Sequence, residues 1–425
     1  MKLEFVNHAS FILEEDDVRM ITDPWYEGSV FDNSWSLLLK SKFKTDDFSG
    51  ITHIWFSHEH PDHFFPPNLT AIPEFLRSTI TILYRSTKDK KVYNYCKKLG
   101  FKVIELPKLK WLKLSSSVKI KCIPWYDDSL LMIETPSFNI LNLNDCTIKS
   151  KNDAIKIHKQ LLPKVDFLFT QYSYASYVGE NFDDRKRAAQ EKLEDIANQI
   201  SVFNPKKVIP FASNVWFSHS ENFHMNDAVN KIEDACNFIN TFFPSVEVLV
   251  MAPGDVYDPR VCYDNSSSLK KYSEAYKMLN NKEKWPSKII AENQLFDIGL
   301  SFVSRLKKLQ YYKLFKFLGL VKPLRILVID LDIKVELSFN SFEKISNLEL
   351  CHISMTSSAL EFALKYDYGF NTLSVNGRYS LLGQEYAGRF DSFLSLGDAM
   401  NHGRYNYIDL FGAFVNRAKL MLGLK

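Results

Sequence analysis

A chain of 425 residues with 46% hydrophobic and 24% charged side chains is long enough to bury a large core and to hold more than one domain. Its 53 basic and 50 acidic residues leave a formal net charge of +3, which removes any global electrostatic case for a nucleic-acid or anionic-membrane partner. The six cysteines, Cys96, Cys122, Cys146, Cys236, Cys262 and Cys351, form no C-x-x-C pair, so neither a zinc finger nor a disulfide framework follows and a reducing cytoplasm is expected.

Taken in chain order, "KLEFVNHASFILEEDDVRMITDPW" reads as two strands joined by an acidic turn and closed at Asp23-Pro24. The start lacks the basic residues and unbroken apolar core of a secretory signal, and no apolar run is long enough to span a bilayer. "ITHIWFSHEH" is a β-branched and aromatic strand that empties into a histidine cluster. "VKIKCIPW", "SLLMIET" and "NILNLNDC" read as successive strands. "FDDRKRAAQEKLEDIANQISVFNP" has helical apolar spacing up to Pro205, "KKVIPFA" is a strand, and "NDAVNKIEDACNFINTFF" is a helix. This order predicts an α/β layered domain over residues 1–264. A Lys-rich helical linker over 265–324 and a small α+β accessory domain over 325–425 follow, the latter opening on "LRILVIDLDIKVELSF".

The dense stretch is "FSHEHPDHF", Phe56 to Phe64. His58 and His60 stand two apart on an extended segment, so their imidazoles point the same way and share one metal. Asp62 and His63, past Pro61 in the turn, face a second. Imidazole and carboxylate together suit zinc, iron or manganese.

This H-x-H-x-D-H pattern resembles the signature of the metallo-β-lactamase superfamily, which implies an αββα sandwich with a binuclear site at the strand ends. "DPWYEGSVFDNSW", "FSHEHPDHFFPPNL", "YDDSLLMIE", "NILNLNDC" and "PFASNVWFSHSENF" resemble, in order over residues 3 to 260, the non-Rieske part of the CMP-N-acetylneuraminate hydroxylases. The resemblance implies that Asp23 is structural, that Asp145 bridges the metals, and that His219, in preference to His224, is the last histidine ligand. At the position where hydrolases of the superfamily carry a further histidine this chain has none between His63 and His158. Asp127 and Asp128 are the available ligands there, and Asp128 fits the hydroxylase-like block better. A carboxylate in place of an imidazole hardens the site toward iron or manganese; alternatively the two aspartates support ligands or cap a loop.

Two activities follow. One is a di-iron oxygenase hydroxylating a small, sugar- or nucleotide-linked substrate. Its electrons would come from an external ferredoxin or reductase, because no cysteine here sits in the paired C-x-H and C-x-x-H motifs of a Rieske cluster. The other is a two-metal zinc hydrolase of an ester, amide or phosphodiester, with Asp62 or Asp145 orienting water. Tyr126, Asp127, Tyr172 and His224 are expected against the substrate, and His8 is either a substrate contact or a buried core histidine. "FVSRLKKLQYYKLFKFLGL" interleaves aromatic and basic residues, the pattern of a membrane-surface segment or of a helix packing one domain on another. Arg378, after Asn376-Gly377, is placed to meet an anion.

Overall fold

The computed structural model describes residues 1–160, 164–346 and 348–408, so the last part of the expected accessory domain, 409–425, lies outside the described residues. The chain divides into two compact units, Met1–Phe217 with Met225–Glu283, and Ser218–His224 with the chain from Lys284 onward.

The first unit is built on two seven-stranded sheets. In the first, Val256–Tyr257, Lys2–Asn7, Ser10–Glu15 and Val18–Thr22 run antiparallel. His53–Phe56, Thr81–Arg85 and Lys102–Leu106 continue it in parallel. The N-terminal segment makes three strands where two are expected, because the chain reverses at His8, which takes a positive φ of 35°. The second sheet is ordered Glu247–Val248, Lys207–Phe211, Phe167–Gln171, Asn139–Asn142, Asp128–Glu134, Lys119–Trp125 and Trp111–Lys113.

Strand alternation decides which face each side chain covers. Leu3, Phe5, Phe11, Leu13 and Met20 face the second sheet and bury against Cys122, Leu131, Ile133, Phe167, Phe169 and Phe211. Phe11 stacks on Phe169 with centroids 4.4 Å apart. The alternate residues Ile12, Ile21, Ile54, Phe56 and Ile82 point the other way, onto Leu69, Val92 and Cys96 of the helices Pro66–Ala71 and Lys91–Lys98. The outer face of the second sheet is covered by helix Phe182–Phe203, which places Gln199 Oε1 where Thr170 Oγ1 donates to it at 2.6 Å. That helix is capped by Asn181, whose side chain accepts from the Asp184 amide, and it ends one residue before Asn204-Pro205. Helix, sheet, sheet and helix therefore stack as the αββα sandwich.

The second unit is α+β. Its five-stranded sheet runs Phe342–Lys344, Ile333–Leu337, Leu324–Val328, Ile353–Met355 and Ser380–Leu381. Leu324, Ile326, Val328, Ile333, Val335 and Leu337 alternate into its core. Helix Glu292–Leu306 packs on helix Ser357–Lys365 and meets strand Phe342–Lys344 at Gly299, where a Cβ would come within 2.1 Å of the Phe342 ring. The stretch expected as a linker is shared out. Helix Ser266–Lys277 joins the first unit, with buried Tyr272 donating to the Met251 carbonyl at 3.0 Å, and helix Glu292–Leu306 belongs to the second. Asn376 ends helix Gly369–Asn376, and Gly377 caps it with a φ of 66°. Arg378 finds its anion inside this unit, donating through Nε to Glu221 Oε2 at 3.0 Å. Among the described residues no helix is long and apolar enough to cross a membrane.

Candidate metal centre

The histidine cluster leaves strand His53–Phe56 at the end where the parallel strands of the first sheet finish. Asp23 leaves the neighbouring strand Val18–Thr22 with a positive φ of 35°. Its Oδ1 accepts from the Ser57 amide at 2.8 Å, while Oδ2 lies 3.1 Å from His63 Nδ1 and accepts from Asn144 Nδ2 at 2.9 Å. A carboxylate only accepts, so this contact places the His63 proton on Nδ1 and turns Nε2 toward Asp62 Oδ2 at 3.2 Å and Asp145 Oδ2 at 3.4 Å. His8 Nε2 approaches Asp62 Oδ2 from the other side at 3.3 Å.

His58 Nε2 lies 2.8 Å from His60 Nδ1 and 4.0 Å from Asp145 Oδ2. Its Nδ1 lies 2.9 Å from Ser57 Oγ and 3.1 Å from Asp128 Oδ1. Asp128 reaches this point because a two-residue turn, Tyr126-Asp127 with Tyr126 at a φ of 54°, pairs Trp125 with Asp128 across the hairpin. The register is locked where Ser129 Oγ donates to the Ser57 carbonyl at 2.6 Å.

The electrostatics follow from taking four carboxylates, Asp23, Asp62, Asp128 and Asp145, and four imidazoles, His8, His58, His60 and His63, out of water together. Burial alone would neutralise His58 and His63, but Asp128 and Asp145 outweigh it at His58, Asp62 and Asp145 outweigh it at His63, and both imidazoles are raised. At His60 burial, with His58 beside it, outweighs the pull of Asp62 and Asp145 and pushes it down to about 4. Burial raises Asp128, and Asp145 adds to the shift, whereas His63 and His58 hold Asp145 well below the usual carboxylate range despite its burial. Asp62 is also held low, by His63 and His8 against burial.

Two donor groups result. His8, Asp62 and His63 each bring a ligand-type atom within 4.8 Å of the others, and so do His58, His63 and Asp145. Asp62 Oδ1 and Asp145 Oδ1 are buried with no hydrogen-bond partner among the described residues. Buried, unpartnered carboxylate oxygens beside bare imidazole nitrogens are costly unless a cation meets them, so the residues fit a pair of metal ions.

Residues 2–109 match the family model of the beta-lactamase superfamily domain. The chain resembles the metallo-β-lactamase superfamily. It is also similar to the cytidine monophosphate-N-acetylneuraminic acid hydroxylase of Danio rerio, 25% identical over 295 residues that make 63% of this chain and 47% of that protein, so it spans about half the length of this relative. Among solved structures, a mutant of CmlA β-hydroxylase aligns with a TM-score of 0.44 and 15% identity, covering 60% of this chain and 53% of that one. The isothiocyanate hydrolase from Delia radicum gut bacteria aligns with a TM-score of 0.45 and 13% identity, covering 61% and 99%. At the coarse level the resemblance is to metal-dependent enzymes.

Set against the superfamily's pattern, His58, His60, Asp62, His63, Asp128 and Asp145 gather in the first unit as above. Asp127 is exposed on the hairpin turn, where its carbonyl and that of Tyr126 accept from Arg85, so of the two aspartates Asp128 is the one in the cluster. Tyr126 is exposed beside it. Tyr172, expected against the substrate, is fully buried in the core, its hydroxyl donating to Asn214 Oδ1 at 2.9 Å. His219 and His224 belong to the second unit. His219 Nδ1 is 3.9 Å from Glu221 Oε1, and burial followed by Arg378 pushes it down to about 4; His224 is exposed. Sequence reasoning passed over Ser57 and Asn144, although both flank ligand-type residues within the motifs themselves. It also passed over Lys192, which reads as one more surface lysine of a helix. Lys192 Nζ donates to Gln171 Oε1 at 2.5 Å at the end of strand Phe167–Gln171, and burial lowers its pKa against the pull of Asp195 and Asp145.

Proposed function

We propose that the first unit is a binuclear oxygenase that hydroxylates a small substrate, with iron as its metal. The observation that supports this is Asp128, a carboxylate set against His58 and Asp145 where superfamily hydrolases carry an imidazole. Three carboxylates in one cluster make a hard, anionic donor set, which favours iron or manganese over zinc. The likeness to the sialic-acid hydroxylase points the same way and favours a sugar- or nucleotide-linked substrate.

In this reading His58, His60, Asp62, His63, Asp128 and Asp145 would hold the metals. His219 joins them on the resemblance alone. Two bound irons would supply O2 activation, and the hydroxylation would draw two electrons from an external ferredoxin or reductase and two protons from solvent, which leave with the second oxygen atom as water. The chain's own part is orientation. Asp23 and Ser57 fix the rings of His63 and His58, Asn144 ties Asp23 to the loop that carries Asp145, and Asp62 and His8 hold a polar, titratable face beside the metals.

The test is metal content and Mössbauer spectroscopy of protein expressed with iron-57 and purified without added metal. Two antiferromagnetically coupled irons per chain, lost on His58→Ala or Asp145→Ala, are expected. Stoichiometric zinc with little iron would overturn the oxygenase reading in favour of a zinc hydrolase. His219→Ala, assayed the same way, is expected to lower the metal content.

A further inference from the structure

Helix Tyr312–Phe317 of the second unit carries two apolar stripes, of which one is packed and the other exposed among the described residues. Tyr311 is fully buried with its ring 4.9 Å from Phe315, and Tyr312 stacks on Phe339 at 4.6 Å while its hydroxyl donates to Asn340 Oδ1 at 2.6 Å. These contacts seat the helix. Leu314, Phe317 and Leu318, spaced i, i+3 and i+4, make the second stripe, which is 42%, 86% and 53% exposed, and Leu320 extends it at 55%. A lone exposed leucine needs no explanation, but four large apolar side chains on one short segment do.

The charge around this segment is one-sided. From Ile298 to Ile329 the chain contains no acidic residue, yet it carries Arg305, Lys307, Lys308, Lys313, Lys316, Lys322 and Arg325. The two arginines are neutralised by Asp367 and by Glu336 with Glu349. The five lysines form no ion pair among the described residues, and three of them, Lys313, Lys316 and Lys322, flank the exposed stripe. A second copy of the chain seated on this surface through a twofold axis would set lysines against lysines. An anionic bilayer supplies both missing complements, hydrocarbon for the stripe and negative headgroups for the lysines.

We propose that segment Leu314–Lys322 is an interfacial membrane anchor. Leu314, Phe317, Leu318 and Leu320 enter the boundary between headgroups and acyl chains, and Lys313, Lys316 and Lys322 lie on anionic lipid headgroups. The near-neutral net charge of the whole chain conceals this local field, and the proposal is independent of which metal the first unit holds.

The experiment is co-sedimentation of the full chain with phosphatidylcholine vesicles, with and without about one-third phosphatidylserine. Binding to the anionic vesicles is expected to exceed binding to neutral ones by at least about tenfold and to fall as salt is raised. Phe317→Ser combined with Leu318→Ser is expected to weaken partitioning at least about tenfold, and Lys313→Glu with Lys316→Glu to weaken only the phosphatidylserine-dependent part. All four positions are exposed, so an unchanged melting temperature will confirm an intact fold. Failure of the unmodified chain to sediment with anionic vesicles would overturn the proposal, as would equal partitioning of the Phe317/Leu318 variant. Light scattering that shows a dimer dissolved by the same variant would overturn it too, by identifying the stripe as a self-association surface.

Discussion

His63 is the side chain through which the two donor groups of the centre meet, and its orientation rests on Asp23, forty positions earlier in the chain. Asp23→Asn keeps the shape but removes the charge that holds the proton on Nδ1. Metal affinity is expected to fall about 10- to 100-fold, read by competition with a chromogenic chelator; unchanged affinity would mean that Asp23 serves only the turn. Proton competition gives a second test. The metal-free chain holds His58 and His63 above their ordinary value of 6.5, so the stability they confer is fully present below that pH and is lost as pH rises through the raised values. Bound metal must displace those same protons, so its affinity rises across the same window. As pH rises from below 6.5 through the raised values, the melting temperature of the metal-free chain should decline while the increment on adding metal grows. An increment that shrinks would show that these imidazoles do not ligate. At this scale the motif was fully legible in the sequence, because H-x-H-x-D-H is a local pattern. The burial of Tyr172 was not, because its hydroxyl finds its partner in Asn214, 42 residues later, and "TQYSY" carries no local sign of it.

At the scale of elements, the α/β layering could be read from the order of strands and helices, and the αββα sandwich was implied by the resemblance. The pairing of particular rings across the two sheets could not. Phe11 and Phe169 lie on different sheets and their stack has no sequence signature. Phe169→Ala removes a fully buried ring from the contact layer and is expected to cost about 3–5 kcal/mol, read as a lowered denaturation midpoint. In the second unit, Gly299→Ala drives a methyl group into the Phe342 ring where helix and strand touch, and about 1–3 kcal/mol of destabilisation is expected. The N-terminal segment reads as two strands instead of three because His8 carries no local turn signal, and its positive φ is held by contacts to Asp62 and to the Ala212 amide that lie far along the chain.

At the scale of the whole molecule, composition suggests a change near residue 265, but the first unit runs on to Glu283, and Ser218–His224 leaves that unit's sequence to join the second, held by a Glu221–Arg378 pair separated by 157 positions that no local pattern announces. The same long view bears on electron supply. This chain spans about half the length of its hydroxylase relative, at 47%, and its six cysteines lack the paired spacing that would carry a Rieske cluster. On the proposed oxygenase reading, an external ferredoxin or reductase is expected to supply both electrons. Iron-loaded protein mixed with O2 and a candidate sugar nucleotide is expected to leave the oxygen concentration unchanged until a ferredoxin with its reductase, or a chemical reductant, is added. From then on one O2 should disappear for every two electrons supplied, with hydroxylated product in step. Oxygen uptake without any donor would require a reducing substrate and would replace hydroxylation with substrate oxidation. Substrate cleavage with neither oxygen nor electrons consumed would return the chain to the hydrolases, and Asp128 would then be a support for His58.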